Sequence, residues 1–155
     1  MKITIISIGK LKESYWKEAE AEYLKRLSAF AKVEIIEHKE IAFGEKDNTE
    51  TIKEKESTRI FNSLPTTSYV IALDPKGAKV SSEKLSEILQ TLEQNHSHIT
   101  FIIGGPLGLH KKILEKSNQT LSLSDLTFTH QMARIFLEEQ MYRAYMIKTG
   151  KAYNH

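Results

Sequence analysis

Apolar and polar positions along this chain follow two periods in turn. Residues 1–8, MKITIISI, are short, β-branched and stop at Gly9, which predicts a strand. From Ser14 the period lengthens: Trp16, Ala19, Tyr23, Leu27 and Phe30 recur at three- and four-residue steps, with Glu22 and Arg26 spaced for an i,i+4 pair on the wet side. That predicts an amphipathic helix. Residues 33–37 read as a second short strand and 38–48 as a polar loop. A helix over 49–64 carries only Ile52, Ile60, Phe61 and Leu64 as apolar anchors and stops at Pro65, so most of it should be exposed.

From Ser68 the texture changes. SYVIALD and HITFIIGG are near-continuous apolar runs, as expected of strands covered on both faces. The first ends in a turn, Asp74-Pro75-Lys76-Gly77, and Ser81 then caps a helix whose Leu85, Ile88, Leu89 and Leu92 follow the i, i+3, i+4, i+7 rule. A helix starting near Pro106, a last strand over 120–124 and a long helix over 130–148 complete the series. Strands alternating with helices predict one α/β domain over 1–155: a mostly parallel sheet with helices on both faces. Ligands gather beyond the carboxyl ends of such strands. The turns 73–77, 103–108 and 122–130 are therefore the places to search.

Composition narrows the chemistry. The 155 residues include no cysteine, which excludes thiolate zinc sites, iron–sulfur clusters and catalytic thiols, and fits a cytoplasmic address. The net charge of +2 comes from residues 111–155, which hold seven basic and four acidic side chains. A modest basic patch there suits an anionic partner such as RNA, although mixed solvated charge gives the same count. Gly104, Gly105 and Gly108 allow either close backbone approach to a ligand or a tight strand-to-helix turn. Their G-G-x-x-G spacing departs from the dinucleotide fingerprint, and neither a phosphate loop nor a G-x-S-x-G elbow is present. His96 and His98 form an H-x-H pair without a supporting carboxylate pair, so loop histidines are the simpler reading and no metal is expected.

The last helix is apolar at eleven of the seventeen positions 131–147, more than one face requires. It suits either a homodimer interface or a central helix within one subunit. Glu139 and Arg143, like Arg134 and Glu138, are spaced as surface ion pairs.

MKITIISIGKLKESYW, ALDPKG, FIIGGPLGLH and LTFTHQMARIFLEEQMYRA occur in that order, and together they resemble the ribosomal RNA large-subunit methyltransferase H family, a minimal branch of the SPOUT methyltransferases. The likeness runs the full length. It implies a C-terminal trefoil knot, which periodicity cannot show, a homodimer, and S-adenosylmethionine-dependent methylation of N3 of a pseudouridine in 23S ribosomal RNA. Carried over, the cofactor contacts fall on Leu73, Gly104, Gly105, Leu123, Ser124, Asp125, Leu126, Thr127 and Phe128. Thr129 stands where the family usually has proline, and Asn154 separates Tyr153 from His155 where the family usually ends Tyr-His.

Methylating an imide nitrogen requires loss of its proton. His130, at the positive end of the last helix dipole, is the first candidate base and Glu138 the second. Arg134, Arg143 and His155 are expected to hold phosphates, and Tyr142 or Tyr153 to stack on an extruded base. The rival reading is a non-catalytic RNA- or ribosome-binding module on the same scaffold.

Overall fold

A computed structural model describes residues 1–150. Five strands, β1 (Lys2–Ile8), β2 (Lys32–His38), β3 (Tyr69–Lys79), β4 (His98–Ile103) and β5 (Gln119–Ser122), alternate with α1 (Ser14–Leu27), α2 (Thr49–Ser63), α3 (Ser82–Asn95), α4 (Lys111–Lys116) and α5 (His130–Lys148). The strands form one sheet in the order β2-β1-β4-β3-β5, parallel throughout. The predicted α/β architecture is therefore the observed one.

The continuous apolar runs become central strands because both of their faces are covered. In the register, Ile5 lies between Ile35 and Phe101, and Ile71 pairs with Phe101. Alternate side chains go to opposite faces. Ile3, Ile5, Ile71, Ile99 and Phe101 meet Leu27, Leu85, Leu89, Leu92, Leu137 and Met141, so α1, α3 and α5 cover one face. Ile6, Ile8, Val70, Ala72 and Ile102 meet Ile60 and Ile113 of α2 and α4 on the other.

Several boundaries differ from the sequence reading. The strand predicted to end at Asp74 continues: Leu73 and Ala78 both pair with Leu121, and residues 74–77 leave the ladder between them. Asp74 Oδ1 accepts the Lys76 N–H at 2.8 Å and closes the excursion locally. Gly77 permits the return, since a Cβ there would lie 2.6 Å from the Leu121 carbonyl carbon. The helix expected near Pro106 begins at Lys111, where His110 Nδ1 accepts the Lys112 N–H. On α2, Ile52 and Ile60 are buried as expected, whereas Phe61 is exposed and Glu56 takes a buried place instead.

Helix α5 takes the place of a central helix within the subunit. Leu137, Met141, Ala144 and Tyr145 are buried between α1 and α3, while Phe136 and Ile147 stand exposed. The H-x-H pair separates: His98 Nε2 meets Thr4 Oγ1 at 2.9 Å in the core, and His96 lies against the Tyr69 ring. Among the described residues no helix is long and apolar enough to cross a membrane.

Candidate active site

Beyond the carboxyl ends of β3, β4 and β5 opens a cleft of about 970 Å³. Its lining comes from three segments far apart in sequence: 73–76, 103–109 and 122–131. Of the residues carried over from the family resemblance, Leu73, Gly104, Gly105, Leu123, Ser124, Leu126, Thr127 and Phe128 line it, as does His130. Asp125 does not; its carboxylate turns outward to Lys79. Sequence reasoning missed the opposite wall, where α2 contributes Glu50 and Lys53 and α4 contributes Lys111 and Leu114. Their helices carry too thin an apolar pattern to show where they dock.

Each loop is held by its own local chemistry. A Cβ on Gly104 would lie 2.9 Å from the Gly108 carbonyl carbon, and one on Gly105 the same distance from Ile8 Cγ2. The tight-turn reading thus accounts for both glycines, and it leaves main chain as the cleft floor. In the third loop, Ser122 Oγ donates to the Ser124 carbonyl and Ser124 Oγ accepts the Leu126 N–H, each at 3.0 Å. Thr129 Oγ1 accepts the Met132 N–H at 3.3 Å and caps α5, a bond that the family's usual proline would lack. Phe128 stacks on Phe136 at 4.9 Å, and Leu126 projects with 73% of its surface exposed.

The His130 ring is packed directly against Gly9. Gly9 has φ +99°, and a Cβ there would lie 2.4 Å from His130 Nε2, so both conformation and space require glycine. Nε2 is sealed from solvent with no hydrogen-bond partner among the described residues. Nδ1 is not sealed in this way.

Behind His130 lies a buried charge cluster that the spacing argument misread. Arg134 is 2% exposed: its Nε donates to Glu20 Oε1 at 2.5 Å, its second terminal nitrogen pairs with the same oxygen, and Nη1 donates to Glu37 Oε1 at 2.7 Å. Glu138, 0% exposed, lies 3.7 Å from the guanidinium. Ser7, opposite Glu37 in the β1–β2 register, is fully buried, and its Oγ has no partner among the described residues. Burial pushes the Glu138 carboxyl up to about 9; the negative charge of Glu20 adds to the shift, and Arg134 opposes it. Both Glu138 oxygens are buried with no hydrogen-bond partner among the described residues, and a neutral carboxyl there removes one of three mutually repelling negative charges from the interior.

The structure places two of the expected site residues away from the cleft. Arg134 is buried among the carboxylates of Glu20, Glu37 and Glu138, and Glu138 lies buried behind it, so neither lines the cleft of its own chain. The pair is not a surface ion pair either. A signal for this was present: Arg134, Leu137, Glu138 and Met141 share the i, i+3, i+4, i+7 stripe of the core face.

Further along α5, Arg143 donates to Glu139 Oε1 at 2.6 Å, the predicted i,i+4 pair. Tyr142 lies against Phe30, with Arg26 over its ring at 5.6 Å. Both residues sit roughly 18–20 Å along the helix from His130 and off the cleft of their own chain. Tyr153 and His155 lie outside the described residues.

The cleft, built where a parallel sheet presents its carboxyl ends and closed by the loop that leads into α5, agrees with an independent comparison. A family model described as "Predicted SPOUT methyltransferase" matches residues 1–155, the whole length of the sequence. The chain belongs to the SPOUT methyltransferase family.

Proposed function

We propose that this chain transfers the methyl group of S-adenosylmethionine to N3 of a pseudouridine in 23S ribosomal RNA, as members of the resembling methyltransferase H branch do, and that it works as a homodimer. The observation that carries the reading is the convergence of three distant segments on one cleft with His130 in its wall. The lining suits this donor. Leu73, Leu126 and Phe128 offer apolar walls, the glycine turn offers main-chain groups for a purine edge, and the volume falls within the range of small-ligand sites. When bound, S-adenosylmethionine supplies a methyl group activated by its sulfonium. The chain's own contribution is to hold donor and nucleophile in line at contact distance and to take up the imide proton.

His130 takes that proton in this proposal, through Nδ1, since Nε2 is sealed against Gly9. Exposed Leu126, Phe136 and the stacked Phe128 form an apolar patch at the cleft's edge, which supports a second copy packing there. Lys53, Lys76 and Lys111 at the cleft support an anionic substrate, and with Arg134 buried they take over its expected place. The test is transfer of a radiolabelled methyl group to ribosomal subunits and assembled ribosomes from cells lacking this enzyme, followed by mapping of the product. Labelled pseudouridine in the large-subunit RNA is the expected result. Donor binding without transfer to any ribosomal particle would instead favour a non-catalytic binding module.

A further inference from the structure

We infer that Arg134 is a positioning residue for the cleft, one that clamps the His130 ring onto its seat at Gly9. The inference rests on the reading of His130 as a working part of the cleft. His130, Arg134 and Glu138 follow one another at four-residue steps, so they lie on one stripe of α5, with His130 at the cleft and the other two buried behind it.

What Arg134 grips is the carboxyl end of β2. Its Nη1 meets Glu37 at 2.7 Å, and the next residue, His38, accepts the Gly9 N–H at 2.8 Å. The same Glu37 oxygen receives the Leu11 N–H at 3.4 Å. Seat and occupant are therefore tied to adjacent residues of β2: Gly9 to His38 through main-chain bonding, and His130 to Glu37 through the arginine one turn away. The remaining arm of the fork reaches Glu20, which adds α1 to the clamp.

The residue type fits this role better than a stabilising one. A buried ion pair is weak evidence for stability, because desolvation offsets most of the attraction and apolar replacements often do as well. A planar fork that meets two carboxylates on two elements instead fixes direction, which a lysine ammonium would do poorly. Direction matters here because the His130 ring has almost no tolerance at Gly9, where a single added carbon would overlap it.

The experiment uses the full chain, with three readouts on Arg134→Met, Arg134→Lys and Gly9→Ala. These are imidazole nitrogen–proton correlation spectra, calorimetry with S-adenosylmethionine, and methyl transfer. Arg134→Met should move the His130 ring signals toward those of an exposed histidine and slow transfer about ten- to a hundredfold, with donor affinity changed less than about threefold. Gly9→Ala should give the same signature without touching the clamp, and Arg134→Lys should fall between. Leu92→Ala, a core truncation on α3 away from the cleft, controls for stability loss alone and should leave the ring signals and the rate unchanged. If Arg134→Met does not fold, Glu37→Gln, which keeps the Glu20 arm, should shift the ring signals in the same direction. Unmoved His130 signals in folded Arg134→Met or Glu37→Gln, or a Leu92→Ala variant with the same signature, would overturn the inference. Should the unmodified chain transfer no methyl group to RNA, the proposed function fails, while the ring signals still decide the clamp.

Discussion

Replacing Glu138 by glutamine tests the buried cluster in a way that separates a neutral acid from an ionised base. The folded chain holds this carboxyl at about 9 against an ordinary 4.5, with desolvation as the main cause. A group that binds its proton more tightly when folded contributes stability that is fully present below the unfolded value and is lost as pH rises toward the folded one. Between about pH 4.5 and 9, stability should therefore fall by about 1.4 kcal/mol per pH unit from this group alone. Glutamine keeps the shape but has no proton to lose over this range. Glu138→Gln should accordingly gain on the parent as pH rises, by on the order of 3 kcal/mol between pH 6 and 8. His38 and His98, whose pKa values burial lowers, act in the opposite sense below their ordinary 6.5, and they cancel in the comparison of the two proteins. The assay is urea unfolding of both at matched protomer concentration across that range. A stability difference that stays constant with pH would mean that Glu138 is ionised in the folded chain and would refute the reasoning.

Three further outcomes follow from particular contacts. Gly77→Ala sets a methyl group 2.6 Å from the main chain of Leu121, which cannot move aside, so it should cost about 1–3 kcal/mol and lower the melting temperature. Thr129→Ala removes the cap of α5 and should cost about 1 kcal/mol, with faster amide exchange confined to the first turn of that helix. Leu126→Asp combined with Phe136→Asp should yield a folded monomer by sedimentation that no longer methylates RNA; an active monomer would contradict the proposed assembly.

The fold was legible where periodicity and burial coincide. SYVIALD and HITFIIGG announced strands covered on both faces because they are near-continuous apolar runs with no alternating polar face, and Leu85, Leu89 and Leu92 declared the buried stripe of α3. The Asp-Pro-Lys-Gly turn was legible too, but not the return of β3 to the ladder after it. That return depends on a close approach between Gly77 and Leu121, 44 positions apart, and local chemistry carries no record of it. Arg134 and Glu138 were misplaced because an i,i+4 spacing reads identically on a wet and a dry face; only the apolar residues sharing their stripe distinguish the two. The three loops of the cleft were found from the carboxyl-end rule, and the resemblance added their cofactor. The walls from α2 and α4 were not found, since docking of a weakly amphipathic helix is decided by tertiary packing.

The central claim is that S-adenosylmethionine occupies the cleft floored by these loops, and amide chemical shifts followed during titration of the full chain with that compound test it most directly. Saturable changes concentrated in residues 73–77, 103–109 and 122–130 are predicted. A titration that leaves those segments unmoved, or that shifts a different surface, would contradict it.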